Sequence, residues 1–279
     1  MALLPRYCFV SYTDVEQEEA GDTIHHTFLI APWMVGETRW YYFLGTINGA
    51  ESKSRSALFE YTRVAIPTTA YFYPDADPEV TSVDGDVAQN NFESWYTIHA
   101  GPGQLSSDTG TTSNLQIKSA TNGDDWALIT RIFLLFDTSS IPLGSQILRA
   151  KLRVKVYYRN YPPDWVDADY CIVYSWPHSN VALIPNDFQR IASSPLSDVI
   201  PITQPLEADN YQTFTLNDSG KLWIISGGIT KLGLREYSHD CRNVPYSPWL
   251  RLKTTDYQIY MADKGGDYRP RLQVTYEAA

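Results

Sequence analysis

The sequence predicts an all-β protein: a small amino-terminal β-meander followed by a large jelly-roll β-sandwich with one or two short helices. Three observations lead there. Arg131-Ile132-Phe133-Leu134-Leu135-Phe136-Asp137 sets five apolar residues between charges. That is too few for a membrane span, and it is the composition of a strand buried on both faces. Lys151-Leu152-Arg153-Val154-Lys155-Val156-Tyr157 alternates cationic with apolar side chains, so Leu152, Val154 and Val156 face a core while Lys151, Arg153 and Lys155 face water. Finally, many short β-prone runs stand between glycine-, serine- and asparagine-rich turns, the pattern of a sandwich or jelly roll.

Composition bounds the rest. The 279 residues suffice for one large β-domain or for two domains. At 43% hydrophobic and 19% charged the chain can bury a core. Its 8 Trp, 20 Tyr and 10 Phe suit a pleated, half-buried surface. A net charge of −10 weighs against a nucleic-acid partner and suits neutral sugars, cations or a particle component. The start, Met1-Ala2-Leu3-Leu4-Pro5-Arg6-Tyr7, lacks the charged opening and long apolar run of a signal peptide. No window reaches the roughly 18 apolar residues of a membrane helix. The expectation is a product made in a host cytoplasm, without membrane insertion. Cys8, Cys171 and Cys241 match neither a zinc spacing nor a disulfide framework and are read as free thiols.

In chain order, residues 1–66 form the first module, with strands expected at 7–12, 24–31, 39–46 and 57–66. Asn48-Gly49 is a hairpin signal. So small a meander cannot bury Trp33, Trp40, Tyr41, Tyr42 and Phe43 alone, and a docking role on a partner follows. Residues 67–82, with three prolines among acidic residues, read as an extended linker. Asp75, Asp77, Glu79 and Asp86 loosely resemble a calcium loop, but Val80 occupies the position where such loops need glycine. A solvated acidic linker is the expected reading, with calcium as the alternative and no other cofactor.

Residues 83–279 form the second module. Strands are expected at 83–88, 94–100, 114–119, 127–136, 146–158, 169–176, 211–216, 229–236, 249–253, 257–262 and 270–276. One helix should begin at Asn186 or Asp187 and carry Phe188. Another should run from Asn217 to Gly227-Gly228 with Leu222, Ile225 and Trp223 turned inward.

The run 131–142, followed by Gly144-Ser145-Gln146-Ile147-Leu148-Arg149-Ala150-Lys151-Leu152, resembles the core of DNRLRE-type β-sandwich domains. Arg269-Pro270-Arg271-Leu272-Gln273-Val274-Thr275-Tyr276 looks like their closing strand, and 256–263 like the strand before it. The family's own hexapeptide is absent. Such domains occur as carbohydrate-binding modules and in adhesins. Similar full-length arrangements, with an element like Asp84-Gly85-Asp86-Val87, look like structural proteins of bacteriophage and other viral particles. The resemblance implies a β-sandwich that binds or builds, and carries over no catalytic residue.

Motifs of catalysis are missing, in keeping with a non-enzymatic reading. The sequence has no nucleophile elbow, zinc-binding helix motif, phosphate loop or Cys-x-x-Cys pair. His239-Asp240-Cys241 reads as a polar loop, since nucleophile and base normally come from different elements. The functional signal is aromatic. Tyr158, Tyr161 and Trp165 cluster around Pro162-Pro163, Trp176 follows in the next loop, and Tyr246 and Trp249 form a second group. Rings on loops flanked by carboxylates and amides suit sugar binding. They suit equally a sandwich edge or a subunit contact. Two function classes follow: a homo-oligomeric structural component of a virion, docked on other virion proteins and in reach of a host-surface glycan, or an extracellular carbohydrate-binding module or adhesin.

Overall fold

The computed structural model describes residues 67–278 and, before them, the backbone of four short strands: β1 (Thr38–Tyr41), β2 (Gly45–Ile47), β3 (Ala50–Ser52) and β4 (Phe59–Thr62). The chain divides into two compact units, Met1–Ala65 and Ile66–Ala279. In the first, β1 pairs antiparallel with β4, and β2 with β3. Ile47 lies opposite Ala50, so the paired strands bracket Asn48-Gly49, the dipeptide that signalled a hairpin. The strands expected at 7–12 and 24–31, and the side chains of this module's aromatic residues, lie outside the described residues.

The second unit is all-β. In order come β5 (Thr68–Phe72), β6 (Asp84–Gln89), β7 (Glu93–Ser94), α1 (Trp95–Ala100), β8 (Leu105–Ser107), β9 (Thr112–Ser119), β10 (Asp125–Asp137) and β11 (Gln146–Asn160). Then follow β12 (Asp169–Tyr174), β13 (Ile200–Pro201), β14 (Tyr211–Thr215), α2 (Asp218–Leu222), β15 (Ile229–Glu236), β16 (Thr254–Tyr260) and β17 (Arg271–Glu277). Antiparallel pairing runs β13-β12-β15-β10-β9-β16-β11-β17-β5, with β14 added on β11 and β6 on β10.

Two strands organise this curled sheet. Ile132, Phe133, Leu134, Leu135 and Phe136 of β10 are all fully buried, the two-sided strand that the apolar run predicts. β10 ends at Asp137, whose Oδ1 accepts the Ser139 N–H at 2.9 Å. On β11, Ala150, Leu152, Val154 and Val156 are buried while the cations between them face outward. β11 pairs with β17 through its first half and with β16 through its end, with irregularities at Ile147/Arg149 and Val156/Tyr158. Bulges bend a strand, so β11 carries the sheet from one layer to the other over the shared apolar core.

Several expectations are corrected. Residues 67–82 are not a free linker: β5 hydrogen-bonds along β17 and buries Phe72. Of the strand expected at 94–100, only Ser94 is in one (β7), and Trp95–Ala100 form α1, because Trp95 and Ile98, one helical turn apart, both reach the core. Residues 249–253 form a turn, tied down by Ser119 hydroxyl donation to the Leu250 carbonyl and by Leu252 N–H to Ala120 O at 3.2 Å. α2 is capped by Asn217, which accepts the Gly220 N–H at 2.8 Å, but it stops at Leu222. Leu222 (83%), Ile225 (41%) and Trp223 (39%) point outward, and Ile224 turns inward. The helix expected near Asn186 is a 3-10 turn, Pro185–Gln189, burying Phe188.

Candidate functional site

The aromatic residues singled out from sequence separate into two populations. Trp165 and Tyr246 are core residues, correcting their assignment to a contact surface. Trp165 stacks on Tyr246 at 4.4 Å and on Trp126 at 5.6 Å, and Trp126 meets Trp95 edge-on at 5.0 Å. The Trp165 indole N–H donates to Pro248 O at 3.2 Å. The loop after β11 folds back and inserts its ring between β10 and the turn at 246–249, so a tryptophan from a polar loop fills the interior. Trp249 is half-buried and gives its indole N–H to Asp125 O at 3.0 Å. Tyr161 also packs against the core. Only Tyr158 and Trp176 of the expected set are exposed.

Trp176 belongs to a surface platform that local sequence pattern does not assemble. Tyr174 and Trp176 sit two apart where β12 ends, which puts them on the same side of the extended chain. Trp223, carried out by the early end of α2, closes on Tyr174 at 3.9 Å and 25°. Trp176 also stacks with Tyr174, at 5.7 Å and 26°. The two indoles keep 39% exposure each. The Trp176 N–H is held by Arg190 O at 2.9 Å, and Lys221 stands two residues before Trp223, paired with Asp218 at 2.8 Å. The i, i+2 spacing of Tyr174 and Trp176 is visible in sequence; the arrival of Trp223 is tertiary.

A second surface covers the outward side of β14, β11, β17 and β5. Arg149, Lys151, Arg153 and Lys155 project from β11 and Arg271 from β17. Tyrosines lie under them: Arg153 over Tyr211 at 3.8 Å, Lys155 over Tyr268 at 4.3 Å, Arg271 over Tyr71 at 5.0 Å and Arg269 over Tyr73 at 4.4 Å. An open groove of about 430 Å³ joins this face, lined by Thr69, Arg149, Lys151, Gln273 and Thr275 among others. The chain's charge of −10 thus hides a locally cationic sheet face.

Inside the unit lies a buried charge cluster. Arg131, 1% exposed, donates to both Asp240 carboxylate oxygens at 2.7 to 3.3 Å and to Phe188 O at 2.6 Å. Arg235 donates to Asp240 Oδ2 at 2.6 Å, and His99 Nε2 lies 3.2 Å from Oδ1. Burial alone would push the Asp240 carboxyl up, but Arg131, Arg235 and His99 hold it well below the ordinary carboxylate range. Neighbouring Glu236 accepts the N–H groups of Ser238, His239 and Asp240, which shapes the turn. His239 faces the Tyr246 ring at 3.4 Å and bonds Val244 O through Nδ1 at 2.9 Å.

The calcium-like set does not hold together. Asp75 Oδ2 accepts the N–H groups of Val80, Thr81 and Ser82 and the Thr81 hydroxyl. Burial would raise its pKa, but these donors lower it and fill its lone pairs. Asp86 accepts the Asn114 N–H at 3.4 Å from within β6, and burial pushes it up to about 6. Among the described residues no three His, Cys, Asp or Glu side chains stand at metal-ligand spacing.

Taken together, these features describe an all-β unit built on a curled antiparallel sheet, with exposed rings at one edge and cations on one face. No family model and no curated protein matches the chain. A solved structure described as "Structural basis for the promiscuous specificity of the carbohydrate- binding modules from the beta-sandwich super family" is similar at 10% identity, covering 87% of this chain and 84% of that one, with a TM-score of 0.12. A likeness that slight carries no argument.

Proposed function

We propose that this chain is a non-enzymatic binding protein whose second unit grips carbohydrate through the Trp176–Tyr174–Trp223 platform. One observation carries the reading: Trp176 and Trp223 both stack with Tyr174, one from a strand end and one from the end of a capped helix, with both indoles open to solvent. The apolar face of a sugar ring stacks on such an indole while its hydroxyls find polar partners at the rim. Covering roughly 60 Å² of ring at about 25 cal/mol per Å² contributes around 1.5 kcal/mol, about tenfold in affinity for each indole.

Affinity electrophoresis through gels containing neutral and acidic polysaccharides tests this. The native chain should be retarded by at least one glycan, and Trp176→Ala and Trp223→Ala should each relieve most of that retardation. Mobility unchanged by every glycan would overturn the reading.

A second reading, a homo-oligomeric structural component of a viral particle, draws on the sequence resemblance. The cationic face of β14, β11, β17 and β5 also supports it, since it suits docking against an acidic neighbour. On that reading the protein resides in the virion, and the ring platform remains outward for attachment. Electron microscopy finding a ring or lattice of this chain would favour it, and a monomer at high concentration would count against it.

A further inference from the structure

Strand register fixes where the cations of the β14, β11, β17 and β5 face stand. Arg153 lies directly opposite Arg271, Lys151 opposite Gln273 and Arg149 opposite Thr275. Alternate residues of a strand share a face, so the cations of β11 from Arg149 to Lys155 form a row about 20 Å long.

Two features separate this row from an ordinary solvated strand. Like charges placed directly opposite on antiparallel strands repel, yet Arg153 and Arg271 hold that position. Each guanidinium lies against a tyrosine of the strand beyond: Arg153 over Tyr211 of β14 at 3.8 Å, Arg271 over Tyr71 of β5 at 5.0 Å. The two are thereby held apart, and the seam between β11 and β17 is flanked by positive charge. Among the described residues only Glu207 pairs with any cation of this row, 3.4 Å from Arg153. The second feature is what lies at the two ends of the seam. Beside Arg149 and Lys151 it opens into the groove of about 430 Å³. At the other end Tyr157, 57% exposed, meets Tyr260 edge-on at 5.3 Å, and Tyr260 meets Tyr268 at 4.7 Å. Lys155 lies over Tyr268 at 4.3 Å, which joins these rings to the cation row.

We propose that this seam is a second glycan site, built for a polysaccharide of uronic acids and independent of the Trp176–Tyr174–Trp223 platform. A polyuronate carries a carboxylate on every sugar, so an extended chain repeats its charge along a line, as the row does. Guanidinium groups held in place take carboxylates through two parallel hydrogen bonds. Gln273 and Thr275, set between the cations, supply partners for sugar hydroxyls. Tyr157 offers its ring to the apolar face of a sugar at the end of the seam. The same charge would serve an acidic protein, but a lasting protein contact also wants an apolar centre. The middle of this seam is Arg153, Arg271, Lys151 and Gln273. Single-stranded nucleic acid wants free rings on which to stack bases, and Tyr211 and Tyr71 are already covered by cations.

The test is calorimetric titration of oligogalacturonate into the full-length chain at low ionic strength, with oligoglutamate and dextran sulfate as rival polyanions. The expected result is one saturable site whose affinity falls as sodium chloride is added. Arg153→Gln together with Arg271→Gln should weaken binding about tenfold, and Lys151→Gln alone about threefold. Lys118→Gln together with Lys253→Gln removes the same charge from another exposed surface and should leave the affinity unchanged. Trp176→Ala should leave it unchanged as well, so the platform and the seam stand or fall separately. Lys151 is exposed, so its variant decides the matter even where the double arginine variant fails to fold. Three results would overturn the proposal: no oligogalacturonate binding by the folded native chain, tighter binding of oligoglutamate or dextran sulfate, or an equal loss in the Lys118 and Lys253 variant.

Discussion

Replacing Asp240 by asparagine keeps its shape and removes its charge, which isolates what the buried cluster contributes. Arg131 and Arg235 both direct their guanidinium groups at that one carboxylate, with contacts of 2.6 to 3.3 Å. Arg131 also lies over the Phe188 ring at 3.9 Å. Neither cation has a route to water, because both are nearly fully buried. Breaking a buried pair on one side costs about 3 to 5 kcal/mol, chiefly by leaving the other charge uncompensated. Here two cations are stranded, so the upper part of that range applies. For a unit of this size each kcal/mol moves the melting temperature by about 2 to 4 °C. On that scale, Asp240→Asn should melt roughly 10 °C or more below the native chain, read by near-ultraviolet circular dichroism of the buried tryptophans. Replacing all three charges with apolar residues of similar volume should restore most of the loss. A shift below about 2 °C for Asp240→Asn, the size expected of a solvated surface pair, would refute the view that this carboxylate anchors β10 and β15 to the turn at 237–241. The sign with pH is also set. A carboxyl held below its unfolded value stabilises above the unfolded pKa, and that contribution is lost as pH falls through the folded one.

Three further outcomes are expected. Trp165→Ala removes a fully buried ring stacked on two others and should cost about 3 to 5 kcal/mol in urea unfolding; a loss under about 1 kcal/mol would mean the ring is not core. Stability should fall as pH rises from about 4 to 8, because the folded state keeps a proton on Asp84 that the unfolded state releases. Asp84 adds a slope of roughly 1.4 kcal/mol per pH unit, and Asp84→Asn should remove that share in melts taken across the range, leaving the part that Asp86 adds below about pH 6. Gly103→Ala should destabilise the unit, since φ there is +85° and an added Cβ would collide with the Pro185 carbonyl; a native-like melting temperature would contradict the observed turn.

Much of the fold was legible because a strand advertises itself locally. The apolar run at 132–136 and the alternation at 151–156 need only side-chain periodicity to be read, and both became central strands. Segment 94–100 misled because Trp, Tyr, Thr and Ile favour strands, yet Trp95 and Ile98 at helical spacing reach the core. Trp165 and Tyr246 misled for a related reason. A ring flanked by prolines and aspartates looks exposed until another loop is known to cover it, and the loop that covers Trp165 comes much later in the chain, at Pro248.

Neighbours one or two residues apart were enough to establish the all-β class, the two strands at its centre and the outward cations of β11. Which rings would be buried, that Trp223 would join Tyr174 and Trp176, and that Arg131, Arg235 and His99 would converge on Asp240 became determinate only in three dimensions. Most of those pairings join residues distant in the chain. Their energies come from burial and from charges meeting in a medium of low dielectric, and local pattern carries no trace of either.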